Sequence, residues 1–131
     1  MTLFVGSGVT VKYGAVAALD NVDISLEPGV VHGVIGPNGA GKSTFIDALS
    51  GRTKLSSGKV MLDGTDITVR PVGWRRHNGI SRSFQRTSVF GSMTVRAQLE
   101  MIAFQNKEPD LSSIVDSLGL KDVLDRVCSE I

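Results

Sequence analysis

Residues 36–43 read Gly36-Pro37-Asn38-Gly39-Ala40-Gly41-Lys42-Ser43, which fits the spacing G-x-x-x-x-G-K-[ST] at every fixed position. Each residue type has a chemical reason. A nucleoside triphosphate is dense negative charge with many acceptor oxygens. A loop that wraps it must aim backbone N–H groups inward, and side chains would block that approach. Gly39 and Gly41 remove the side chains and permit positive φ. A helix opening near Lys42 would add unpaired N–H groups and the positive end of its dipole. Lys42 supplies a cation for the β- and γ-phosphates, and Ser43 a hydroxyl for Mg²⁺. Thr44 adds an N–H and a hydroxyl near the α-phosphate. The plainer alternative is a glycine-rich tight turn with no ligand.

The elements around this loop must hold it. Val30, Val31, Val34 and Ile35 form a nearly continuous apolar run, which predicts a strand buried on both faces, with His32 packed inside it. After the loop, Phe45, Ala48 and Leu49 share one face of a helix over Lys42–Ser50, with Gly51 just beyond its end. The order is therefore buried strand, glycine loop, helix. Upstream, Val9, Val11 and Tyr13 alternate with polar residues, as do Val22, Ile24 and Leu26. That pattern predicts an antiparallel start with one wet face. Lys59–Leu62, Asp63-Gly64 and Asp66-Ile67 read as strand and tight turn. Ile80 and Phe84 fall on one face of a short strand. Beyond Thr94 the period becomes helical: Val95, Leu99 and Ile102; then Leu111, Ile114, Val115 and Leu118 up to Gly119; then a third helix from Val123, Leu124, Val127 and Cys128. This gives an α/β nucleotide-binding core over residues 1–90 and a partial helical subdomain over 91–131.

Bulk properties exclude several classes. The 131 residues carry a net charge of +1, so composition gives no pull toward nucleic acid or acidic lipid. Arg70, Arg75, Arg76, Arg82 and Arg86 do cluster in sequence, and the cluster reads as a solvated face. No apolar run is long enough to span a membrane, and the N-terminus lacks the pattern of a signal peptide. The lone Cys128 builds no disulfide framework and fits a reducing compartment.

The loop Gly36–Thr44, with Tyr13-Gly14 before it and Leu49-Ser50-Gly51 after it, resembles the ATP-binding subunits of ABC transporters. Ser57-Gly58-Lys59-Val60, Asp63–Ile67, Phe84-Gln85, Phe90 and Met93-Thr94-Val95 agree in order and distance. The stretch from Gly79-Ile80 through Arg82, Phe84-Gln85 and Val89-Phe90 is most similar to the ATPases of branched-chain amino-acid importers. ATPases of urea and other amide importers share much of it.

The resemblance implies a P-loop ATPase fold with an antiparallel β flank and the start of a helical subdomain. It implies ATP and Mg²⁺ as cofactors, transmembrane permease subunits and a second ATP-binding subunit as partners, and no nucleic-acid partner. The implied location is the inner face of the cell membrane, peripheral and cytoplasmic. Tyr13 would stack on adenine, Lys42 and Gln85 would serve catalysis, and Ser43 and Gln85 would touch the metal. Phe90 and Met93 would shape the groove for a helix of the permease. Each of the less motif-bound residues has a plainer alternative: core filling for Tyr13, Phe90 and Met93, an ordinary polar loop residue for Gln85. Departures from the family are Val30 in place of Glu, Asp47 in the P-loop helix, read as neutral, and Arg96-Ala97-Gln98 in place of Glu-Asn.

The resemblance runs to about Val127 and stops before the family's signature motif, its metal-binding aspartate and its catalytic glutamate. His77, in a basic stretch, reads as solvated. The expectation is that this polypeptide alone binds ATP weakly and hydrolyses it at background rate. Two other readings stay open: a non-transport ABC module working on nucleic acid or ribosomes, and a defective fragment with a binding role.

Overall fold

The computed structural model describes residues 3–84, 88–107 and 110–131. The chain divides into two units, residues 1–82 and 83–131.

The first unit is built on an antiparallel sheet. Strands β1 (Phe4–Tyr13), β2 (Val16–Leu26), β3 (Ser57–Leu62) and β4 (Thr65–Asp66) lie in the order β2-β1-β3-β4. Both alternating segments upstream of the loop form strands and pair, as the period-two pattern predicts. Gly14, at φ 59°, turns the chain between Tyr13 and its partner Val16. Because β1 sits between β2 and β3, it is buried more fully than a one-sided alternation implies. Val9 and Val11 are buried, and so is Thr10 between them. The hydroxyl of Thr10 stays satisfied there: it donates to Gly8 O and accepts from the Asn21 N–H. The turn between β3 and β4 uses Asp63 at φ 44° and Gly64 at φ 75°, the left-handed pair that a two-residue hairpin demands.

Helix α1 (Lys42–Leu49) packs Phe45, Ala48 and Leu49 into the core with Val9, Val11, Leu19, Val60 and Ile67. Its apolar face is the one that the i, i+3, i+4 spacing gave. A short helix, α2 (Val72–His77), had no apolar period to announce it.

Two strand expectations fail. Residues 30–37 have no regular structure, and Val31 and Ile35 are 98% and 95% exposed. His32 is exposed with them rather than packed. The physical reason is pairing: among the described residues no strand lies beside this segment, and a strand needs neighbours for its backbone groups. It borders an apolar trough of about 460 Å³ whose lining includes Phe4, Leu26, Val30, Ile46, Leu49 and Ile80. Residues 80–84 also form no strand. Ile80 packs against the core, and its N–H is taken by Arg75 O at 2.9 Å.

The second unit holds α3 (Val95–Asn106) and α4 (Ser112–Ser117). Thr94 caps α3 by accepting the Ala97 N–H at 3.2 Å. The third helix expected from Val123 does not form. Two short 3₁₀ turns, Lys121–Val123 and Cys128–Glu130, flank a bridge between Thr94 and Val127. The first-turn N–H groups of α3 explain why: Val95 donates to Arg126 O and Arg96 to Leu124 O, at 3.1 and 2.8 Å. Those carbonyls must point across to α3 and cannot enter a helix of their own.

Arg96 and Gln98, which depart from the family pattern, both act here. Arg96 grips Asp125 through two bonds of 2.7 and 3.1 Å and holds its carboxyl below the usual aspartate range. Gln98 brackets the backbone of Phe90, accepting its N–H at 2.9 Å and donating to its carbonyl at 3.3 Å.

Candidate functional site

The loop before α1 is exposed from Gly36 to Ala40, and a turn closes it where the Ala40 N–H meets Pro37 O at 3.3 Å. Lys42 folds back over it. Its Nζ donates to Gly36 O and Pro37 O, each at 2.7 Å. An ammonium has three donors, so one remains for an anion held in the loop. The first α-helical bond of α1 joins the Phe45 N–H to Gly41 O at 2.8 Å. The N–H groups of Lys42, Ser43 and Thr44 therefore have no acceptor within the helix. No acidic residue lies in the first turn, and no side chain caps the end. Neither the first turn nor the capping residue therefore compensates the positive end of the helix. Ser43 is exposed and Thr44 half-buried in that turn. Backbone donors, a dipole end and a seated ammonium thus lie together in one exposed loop, and these are groups suited to a polyphosphate.

One glycine docks the loop to the sheet. Gly41 has φ 83°, and a Cβ there would lie 2.6 Å from Ala18 O. Ala18 is the extra residue of a bulge, since Val11 pairs with Leu19 while Lys12 pairs with Ala17. The bulge and the missing side chain let the helix start sit directly on β2. Tyr13 stands at the same hairpin, paired with Val16 two residues from Ala18, and is 59% exposed. It does not fill the core; its ring is open to a ligand. Gln85 lies outside the described residues.

Sequence reasoning missed two arginines. Arg75 is not part of a solvated face: it is 1% exposed. Its guanidinium donates to Leu49 O (2.6 Å), Ile67 O (2.7 Å), Thr68 O (3.0 Å) and Arg70 O (3.0 Å). Burial pushes its pKa down from the ordinary guanidinium value. Gly51 makes room, because a Cβ there would meet Arg75 Nε at 2.6 Å. Arg75 thereby ties the end of α1 to the end of the β3–β4 hairpin. Arg82 pairs with Asp47 of α1, which also meets Arg52 at 3.3 Å. Asp47 is therefore an ionic anchor and not a neutral substitution. No local pattern signals the ties to α1, because Arg75–Leu49 and Arg82–Asp47 each join residues more than twenty positions apart. His77 is exposed, as expected of its stretch.

The second unit carries an apolar cleft of about 430 Å³. Val89, Val95, Leu99, Ile102, Leu120 and Val123 line it. Phe90, at 59% exposure, and half-buried Met93 are not among its walls. Among the described residues no helix is long and apolar enough to cross a membrane.

The chain is similar to known proteins over most of its length. A probable branched-chain amino acid transport ATP-binding protein of Methanocaldococcus jannaschii is 40% identical over 105 residues, covering 79% of this chain and 41% of that protein. A ribose import ATP-binding protein of Rubrobacter xylanophilus is 36% identical over 109 residues, covering 83% of this chain and 21% of that one. A solved nucleotide-free ATP-binding cassette from an ABC transporter matches with a TM-score of 0.82 at 29% identity. The ADP conformation of an ATP-binding cassette matches with a TM-score of 0.84 at 29% identity. In both structures the match covers 100% of this chain and 59% of the cassette. The chain thus spans less than two-thirds of the length of each of these relatives. The α/β fold with its antiparallel flank and helical subdomain is the one these cassettes share. The family model described as ABC transporter matches residues 19–131, and the chain belongs to that family.

Proposed function

We propose that this chain is the ATP-gripping part of the energy-coupling subunit of an importer. The observation that carries the reading is the loop Gly36–Thr44, seated on β2 through Gly41 with the Lys42 ammonium over its own carbonyls. In this reading the N–H groups of Gly39, Ala40, Gly41 and the first turn of α1 receive the phosphates, and Pro37 and Asn38 shape the loop. Lys42 neutralises the β- and γ-phosphates. Ser43, exposed in the first turn, fits as one oxygen ligand of Mg²⁺, with water completing the shell. Gln85 is the second protein contact to the metal. Mg²⁺ supplies charge neutralisation on the phosphate oxygens.

Residues 1–90 form the nucleotide-binding core, and 91–131 belong to the helical subdomain that meets the permease. Phe90, Met93 and the nearby apolar cleft of the second unit are the contact surface. A second ATP-binding subunit completes the assembly on the inner face of the membrane, and nucleic acid is not a partner. The 131 residues by themselves bind ATP and leave its hydrolysis to groups outside them. The solute is a branched-chain amino acid or a related small polar molecule. The 40% identity to the Methanocaldococcus protein supports it, and the relatives named for ribose and fructose import, at 36% and 35%, define the competing class.

Tyr13 tests the nucleotide part of this reading. An aromatic platform under adenine contributes about 1–3 kcal/mol by alanine substitution. Tyr13→Ala is expected to weaken ATP by roughly tenfold while leaving inorganic tripolyphosphate unchanged. Equal losses for both ligands would remove Tyr13 from the base site.

A further inference from the structure

We infer that residues 30–35 are a self-association strand, at which two copies of this chain pair antiparallel about a twofold axis. The inference stands apart from the nucleotide reading. Val30, Val31, Val34 and Ile35 carry the pattern of a buried strand, yet among the described residues no strand lies beside them. Their exposure alternates. Val31 and Ile35 stand at 98% and 95%, Val30 and Val34 at 54% and 41%. That is the period of an extended segment, with even-numbered side chains toward the chain's own body and odd-numbered ones away from it. Val30 accordingly lines the apolar trough of the first unit, together with Phe4, Leu26, Ile46 and Leu49.

The segment is self-complementary. In the register that sets His32 opposite the partner's Gly33, Val31 falls opposite the partner's Val34 and Val30 opposite the partner's Ile35. Every apolar residue meets an apolar residue, and the one imidazole has a glycine across from it. Residues opposite each other share a face of the paired ribbon. Val31 and Ile35 of one copy therefore come onto the trough side of the other. The side chains most exposed in one copy cover the apolar surface of its partner, and the reverse, which is the condition for an isologous pair. The backbone N–H and C=O groups of both segments gain partners in the same step. A net charge of +1 on each copy sets little repulsion against the pairing. A strand from another polypeptide fills the ladder alone; a second copy supplies the matching cover in both directions.

Sedimentation equilibrium of the 131-residue chain without nucleotide tests this. A reversible monomer–dimer equilibrium is expected, with a dissociation constant on the order of tens of micromolar. Val31→Lys changes a fully exposed site, so the folded monomer carries it at little cost, and association is expected to weaken about tenfold or more. Val34→Asp is expected to do the same. Mixed in equal amounts, the two variants are expected to recover wild-type association to within about threefold, because in this register the introduced charges of opposite sign face each other. Val31→Lys mixed with Val31→Asp is expected to stay as weak as the single variants, since each charge then faces a valine. Thermal unfolding of each variant accompanies the runs. Ile35→Lys with Val30→Asp repeats the complementary mixture at the outer positions should Val34→Asp fail to fold. A wild type that stays monomeric to about 300 µM would overturn the proposal and leave this surface to a different polypeptide. Single variants that associate as wild type does would place the contact elsewhere and overturn it too. Recovery in both mixtures, or in neither, would show apolar contact without this register, with the same consequence. None of these outcomes bears on the phosphate loop, which Lys42→Ala tests separately.

Discussion

Arg75→Met is expected to destabilise the chain by about 3–4 kcal/mol, a large share of the 5–15 kcal/mol that typically holds a domain together. Methionine fills most of the volume but returns none of the four hydrogen bonds. The carbonyls of Leu49 and Ile67, bonded to the guanidinium at 2.6 and 2.7 Å, would lose their charged donor. A buried acceptor left without a partner costs about 1–3 kcal/mol. Arg75→Lys is expected to fall between the two, since one ammonium cannot span carbonyls from two elements as a planar fork does. Chemical denaturation read by circular dichroism checks both. A midpoint within error of wild type for the methionine variant would show that the buried guanidinium roughly cancels its own desolvation.

Gly41→Ala is expected to abolish ATP binding and to destabilise the fold far more than Gly39→Ala. The two glycines share nearly the same backbone, at φ 83° and 84°, so the left-handed penalty of about 1–2 kcal/mol applies to both. They differ in space. A Cβ at Gly39 meets nothing within 4 Å, whereas one at Gly41 would lie 2.6 Å from the backbone oxygen of Ala18. A side chain can swing aside; a strand carbonyl moves only with its strand. The helix start must therefore lift from β2, which takes Lys42 and the first-turn N–H groups with it. A difference of about 2 kcal/mol or more in unfolding free energy between the variants is expected. Equal losses would mean that loop conformation, not docking on the bulge, sets the cost.

The contrast between these glycines shows what the sequence can and cannot disclose. That position 41 is glycine follows from the motif, and the motif explains it by ligand approach. That glycine is also needed against Ala18 depends on a bulge in β2, which no local pattern marks. Strand and helix periods gave β1, β2, β3 and α1 directly, because each turns its periodic apolar residues to the same core. The apolar run at 30–35 gave the wrong outcome because burial on two faces needs neighbours, and periodicity describes only the strand itself. Val123–Cys128 has a helical period, yet α3 takes the carbonyls of Leu124 and Arg126 for its own first turn. Arg75 and Arg82 looked like members of a charge cluster, and their roles rest on partners at Leu49 and Asp47. Long-range polar contacts of this kind leave no spacing rule behind them.

The central claim is that Gly36–Thr44 is a formed phosphate cradle. Calorimetric titration of ATP with Mg²⁺ into the 131-residue chain, beside Lys42→Ala, tests it most directly. Saturable binding is expected, weakened by the substitution about tenfold or more through loss of the ammonium facing the phosphates. Absence of binding in a chain that unfolds cooperatively, or binding indifferent to Lys42, would contradict it.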